Sequence, residues 1–151
     1  YTFVHSGSVW KAGFIFTVTG CPAAGSPFSG TPTSNSIGSG TAITNTSMMP
    51  LDAGNLVVTL AVNDVDGTTA SYAGGGLTWD ERADYTTTGS LFMSVAMATA
   101  PQATAAAISP TATAPGGPHN AHTFALKPAA GGSAAVISGT ATEGITEADI
   151  V

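Results

Sequence analysis

The chain has 151 residues and a formal charge of −6, and Lys11, Arg82 and Lys127 are its only Lys and Arg residues. Three dispersed cations cannot build the basic patch that phosphate binding needs, which argues against a nucleic-acid partner and against an anionic membrane surface. Charged residues make up 8% of the chain, against roughly 25% in average globular chains. Hydrophobic residues reach 43%, which suits one packed domain rather than a disordered segment.

No apolar run approaches the roughly 18 residues of a membrane span, so no membrane insertion is expected. Residues 1–5 already read as a strand, and the chain runs to Val151 without terminal punctuation, as a segment of a longer polypeptide would. The single Cys21 has no partner for an intrachain disulfide and reads as a small buried or half-buried thiol. Stability then has to come from packing or assembly.

In chain order, residues 12–19 alternate, with Phe14, Phe16 and Val18 opposite Ile15, Thr17 and Thr19. Residues 22–39, rich in Pro, Gly, Ser, Thr and Asn, read as a connector, and a weaker strand is predicted over 41–47. Residues 55–63 place Leu56, Val58, Leu60 and Val62 on one face and Val57, Thr59 and Ala61 on the other. A weaker strand follows over 77–85. Residues 90–98 set Leu91, Met93, Val95 and Met97 against Ser94, Ala96 and Ala98. The segment 103–113 reads as strand in spite of its alanines, because Pro101 and Pro110 flank it and threonines punctuate it. Residues 121–127 give His122, Phe124 and Leu126 against Ala121, Thr123 and Ala125. An Ala/Gly-rich connector over 128–133 leads to a weaker strand over 134–142.

Period-two alternation with large residues on one face and small ones on the other predicts half-buried strands. Turn chemistry separates them at Asp52-Ala53-Gly54, Asp66-Gly67, Gly74-Gly75-Gly76, Thr88-Gly89 and Pro115-Gly116-Gly117-Pro118. The expected fold is all-β, a two-sheet antiparallel β-sandwich of jelly-roll or Greek-key type. Residues 37–128 carry the pattern of the complete sandwich. Residues 1–36 read as an N-terminal strand pair with its connector, a possible end of a preceding module. Residues 129–151 read as a linker and the start of a following strand or module.

Three stretches, TSMMPLDAGNLVVTLAVNDVDG, GGGLTWDERADYTTTGSLFMSVAMATAPQATAAAISPTATAPGG and AHTFALKPA, resemble β-sandwich modules in structural proteins of tailed bacteriophages and prophages. In such modules a strand after an "aGdlLvv" turn precedes a loop of "P-x-G-W-T" type. A strand pair follows, and a last strand ends at Lys-Pro. Here Leu77-Thr78-Trp79 stands in place of Gly-Trp-Thr. The tail VISGTATEGITEADIV looks like the opening of another module common in phage and prophage proteins. The resemblance covers about two thirds of the chain. It implies a β-sandwich in a virion (tail, fibre or capsid decoration) and carries over no catalytic residues.

Candidate chemistry is sparse. Trp79, Asp80, Glu81 and Asp84 form the one acidic cluster beside an aromatic ring. Adjacent residues on a strand point to opposite faces, so Asp80 and Glu81 do not converge as a glycosidase pair requires unless the strand bulges. Asp80 and Asp84 share a parity but are widely spaced, and Arg82 between them reads as an ion-pair partner at the rim. Trp79 and Tyr85, an even number of residues apart, are the candidate platform for a glycan or protein partner, with Asp80 and Asp84 beside them. The preferred reading for Trp79 itself is a core anchor where the strand enters, with the exposed platform as its alternative.

Asp64 and Asp66 in Asn63-Asp64-Val65-Asp66-Gly67 are weak candidate ligands for Ca²⁺, but Asp-Gly after an apolar strand is ordinarily a turn. His119 and His122, three apart on a strand, face opposite ways and cannot share a metal; His122 is expected to pack inside the sheet. Asn45-Thr46-Ser47 matches the N-glycosylation pattern. No catalytic residue and no cofactor are expected. The expected role is a non-enzymatic virion module acting by assembly with identical subunits and other virion proteins, with a host-surface glycan as a further candidate partner. Its alternatives are a carbohydrate-binding or adhesin module and a subunit of an extracellular or cell-surface bacterial filament.

Overall fold

The computed structural model describes residues 11–65, 67, 71–86, 93–132 and 135–146. Among them the chain is all-β, with ten strands, no helix and only antiparallel pairing. The strands are β1 (Lys11–Thr19), β2 (Thr33–Ile37), β3 (Ala42–Thr44), β4 (Asn55–Asn63) and β5 (Ser71–Ala73). They continue with β6 (Asp80–Thr86), β7 (Ser94–Gln102), β8 (Thr111–Thr113), β9 (His119–Leu126) and β10 (Val136–Thr146). A five-stranded sheet runs β2-β9-β4-β7-β6, a three-stranded sheet runs β3-β8-β5, and β1 and β10 pair as a ribbon. Between β2 and β9 the chain passes repeatedly from one of the larger sheets to the other.

Residues directly opposite one another on neighbouring strands project from the same face, so the register assigns both faces of the five-stranded sheet. The large face carries Leu56 and Val58 of β4, Met97 of β7, Ala83 of β6 and Leu126 of β9. These pack with Ala135 and Ile137, and with Phe16, Val18 and Cys21, from the ribbon end. The small face carries Val57 and Ala61 of β4 and Ala121 and Ala125 of β9. It meets Ile43, Met48, Ile108 and Ala112, with Tyr72, Leu77 and Trp79 at the margin. Large side chains from the three-stranded side thus fill the space that alanines leave on the five-stranded side, which is how two faces interdigitate without voids.

This departs from the half-buried strands that alternation predicts. Val57, Ala96, Ala98, Ala100 and Ala125 are fully buried, so β4 and β7 are enclosed on both faces. The small face is in fact the more uniformly covered of the two. On the large face burial thins toward one end, where Leu60 and Val62 are half-buried and Asn120 and His122 exposed.

β4 coincides with its predicted range, and β1 and β9 lie within two residues of theirs. The expected strand over residues 1–5 and the turn at Thr88-Gly89 lie outside the described residues. The presumed connector 22–39 contains β2 and an isolated bridge, Phe28 to Leu126. β2 is held by short polar side chains rather than by apolar alternation. Asn35 Nδ2 donates to the Thr44 carbonyl at 2.8 Å and Thr33 Oγ1 to the Thr46 carbonyl at 3.0 Å. Thr46 Oγ1 returns a bond to the Ser34 carbonyl at 3.1 Å. The predicted strand over 103–113 contracts to a bridge at Ile108 and the three residues of β8.

Pro101 falls inside β7, an interior strand. It is tolerated because β6 begins at Asp80, opposite Thr99, so that beyond this point β7 has no neighbour on that side. The triple-glycine turn adopts positive φ at all three residues, and a Cβ on Gly74 would lie 2.5 Å from the Ser109 carbonyl oxygen. Only glycine fits there.

Candidate functional site

The acidic segment expected to carry any recognition chemistry forms β6, one of the two edge strands of the five-stranded sheet. Its register slips between Glu81 and Ala83: Asp80 faces Thr99 and Glu81 faces Ala98, but Ala83 faces Met97. Arg82 is the extra residue of this β-bulge, and a bulge reverses the parity of everything after it. Asp80, opposite Thr99, and Tyr85, opposite Val95, therefore belong to the large face, while Asp84, opposite Ala96, belongs to the small one. The parity reading that put Asp80 with Asp84 and Trp79 with Tyr85 does not survive this extra residue.

Trp79 packs against the cluster of Met48, Val57, Ile108 and Ala125. Its Nε1 donates to the Gly74 carbonyl at 3.1 Å, and its ring centroid lies 6.5 Å from that of Tyr72. The indole is half-buried and its polar atom is spent on the glycine turn, as a core anchor requires. Tyr85 is half-buried on β6. Arg82 bonds Asp80 at 3.0 Å and donates from Nε to Thr99 Oγ1 at 2.9 Å. The ion pair is exposed, so it contributes at most about 1 kcal/mol. Its clearer effect is to pin the bulge to β7.

The remaining candidates scatter. Asp64 is exposed, with its backbone N–H donating to the Pro118 carbonyl at 3.0 Å, and Asp66 lies outside the described residues. Among the described residues no three of His, Cys, Asp and Glu gather as metal ligands would. His119 and His122 do face opposite ways, but their burial is the reverse of expectation. His122 is exposed, and His119 is 1% exposed on the small face. The reason is the incomplete cover of the large face at that end. Asn45 of the Asn-Thr-Ser pattern is buried, with its Nδ2 on Thr123 Oγ1, so the folded chain does not offer it for modification.

Cys21 sits at the rim of the large-face cluster, and burial pushes its thiol pKa up from the usual value. The thiolate is the nucleophile, so Cys21 is expected to react with iodoacetamide at neutral pH more slowly than a free cysteine. Unfolding in urea should restore the ordinary rate. An unchanged rate on unfolding, measured by mass shift over time, would contradict this.

Two features lay outside what parity and motif reading could find. One is a set of buried polar side chains on the small face: His119, Asn63, Ser94, Thr123, Thr59, Asn55 and Gln102. Thr123 Oγ1 bonds Thr59 Oγ1 at 3.3 Å, and Gln102 Nε2 bonds the Ala106 carbonyl at 2.9 Å. The other is an exposed apolar corner. Ser29 Oγ accepts from the N–H groups of Leu51 and Asp52 at 3.0 and 2.9 Å, which brings segment 28–30 against segment 49–52. Phe28, Met49 and Leu51 are 41%, 59% and 76% exposed there. Phe28 also stands edge-on to Phe124, with centroids 5.7 Å apart.

No family model matches this chain, and no curated protein or solved structure matches it either.

Proposed function

We propose that the chain is a non-enzymatic structural module of a virion, in a tail, fibre or capsid decoration, that works by assembling with identical subunits and other virion proteins. Its fold on this reading is an antiparallel β-sandwich of jelly-roll or Greek-key type. The repeated passage of the chain between the two larger sheets supports that architecture. The resemblance of residues 46–67, 74–117 and 121–129 to phage structural modules supports the virion setting.

The observation that carries the assembly reading is the corner of Phe28, Met49 and Leu51 on a chain with so few charges. Grouped large apolar side chains in water favour contact with another surface. The Ser, Thr, Ala and Gly side chains that are abundant along the chain lose little rotamer entropy on contact. The acids agree with a binding rather than a catalytic role. Asp80 and Asp84, which a hydrolytic pair would have needed on one face, lie on opposite faces of β6.

The first experiment is mass spectrometry of purified particles and of shed surface material from the source, with negative-stain microscopy of the same fractions. Peptides of this chain in tailed or capsid-bearing particles are expected. Their presence only in tail-less homopolymeric filaments would overturn the virion assignment in favour of an extracellular filament. Within the particle, Leu51→Glu is expected to lower incorporation several-fold while leaving the circular dichroism spectrum unchanged. Wild-type incorporation of that variant would remove the apolar corner as the contact.

A further inference from the structure

One transverse row of the five-stranded sheet differs from the others. Across β9, β4, β7 and β6 the register places His119 opposite Asn63, Asn63 opposite Ser94, and Ser94 opposite Thr86. All four side chains therefore project from the small face, spanning roughly 15 Å at the usual strand spacing. His119, Asn63 and Ser94 are each 1% exposed. One bond links the row, between His119 Nδ1 and Asn63 Oδ1 at 3.0 Å. His119 Nε2, Asn63 Nδ2, Ser94 Oγ and Thr86 Oγ1 are buried without a protein partner.

Four such atoms in one row are not scattered exceptions, since most buried polar side-chain atoms in folded proteins have partners. The next row toward the middle of the sheet is Ala121, Ala61 and Ala96 and ends at Asp84 of β6, with Ile43, Ala112 and Ala114 packed over Ala121 and Ala61. Partners for the row must both donate and accept. With Asn63 Oδ1 accepting from Nδ1–H, His119 Nε2 presents a lone pair while Asn63 Nδ2 presents a donor. Flipping the amide exchanges these roles and still leaves one donor and one acceptor. The two hydroxyls do either.

The chemistry selects the occupant. No Lys or Arg lies in the row to hold an anion, and a metal ion would have a single imidazole from it and only the Asp84 carboxylate from the next row, fewer than the three such groups a metal site gathers. A small neutral molecule that donates and accepts fits all four atoms. We propose that the row His119–Asn63–Ser94–Thr86 is a built hydration site, holding a file of internal water molecules that bridges β9, β4, β7 and β6 at this end of the sheet. Internal waters of this kind typically make about three hydrogen bonds each, so two or three are enough to serve the row.

The test compares the full chain with the double variant Ser94→Ala, Thr86→Val by water ¹⁷O magnetic relaxation dispersion, which counts waters that stay longer than the protein takes to tumble. Amide correlation spectra check that both are folded. The wild type is expected to hold at least one more long-lived water than the variant. Equal counts in two folded proteins would overturn the proposal. A high-resolution crystal structure of the wild-type chain decides independently of how the variant folds. Ordered water within hydrogen-bond distance of His119 Nε2 and of the Asn63 amide is expected, and a dry row with the side chains bonded directly to one another would overturn the site.

Discussion

Met97→Ala is expected to lower the free energy of unfolding by about 2–5 kcal/mol, the range for truncating a fully buried Met, Leu or Ile. Met97 is fully buried and sits in the cluster of Leu56, Val58, Ala83 and Leu126 beneath the ribbon residues Phe16, Val18 and Ile137. Its neighbours come from two different layers, and they cannot collapse into the space without moving the ribbon relative to the sheet. The cost should therefore fall in the upper part of the range. Urea unfolding followed by tryptophan fluorescence reads it as a lower midpoint at an unchanged slope, because the surface exposed on unfolding hardly changes. A shift below about 1 kcal/mol would mean that the ribbon does not close over this face in solution.

The next residue along the same strand provides the opposite test. Ala98→Leu adds three carbons to a fully buried position on the small face, facing the three-stranded side. Overfilling a packed interior forces side chains off their rotamers and typically costs about 1–3 kcal/mol. Here the flanking positions Ala96 and Ala100 are also fully buried, so there is no open flank for the added carbons to enter, and the upper end is expected. Were the small face open to water, as simple alternation implies, the same change would be near neutral. The two variants together thus read which faces of the central sheet are enclosed, by the same urea titration.

Much of the strand structure was legible in the chain itself. Alternation over residues 55–63 reads directly as β4, and the glycine turns at 74–76 and 115–117 adopt the positive φ that their composition calls for. Strands without apolar alternation were not legible. β2 and β5, Thr33–Ile37 and Ser71–Ala73, are built mostly from Ser, Thr, Asn and Ala. β2 is secured by side-chain bonds to Thr44 and Thr46, residues brought alongside by a turn. Such bonds are invisible to a periodicity argument because they depend on what lies next to the strand.

The candidate site was less legible, and one residue accounts for most of the difference. The bulge at Arg82 separates Asp80 from Asp84 and Trp79 from Tyr85 across the two faces of β6. Parity counting assumes an unbroken ladder, and nothing in Asp-Glu-Arg-Ala-Asp announces an extra residue. Arg82 joins Asp80 and Thr99, and Thr99 is a residue of the neighbouring strand. A similar nonlocal cause inverted the two histidines. Their opposite orientation followed from their spacing, but which one is buried depended on where the covering layers end.

The sequence by itself determined that this chain forms antiparallel β-strands with one large-residue and one small-residue face, because side-chain period and turn chemistry are local properties of the backbone. Only the tertiary structure decided that the small face is the more uniformly covered one and that β6 changes parity at Arg82. It also decided that His119, Asn63, Ser94 and Thr86 line up in a single row. Each of these depends on register between strands far apart in the chain, and register is set by how whole faces fit together rather than by any segment alone.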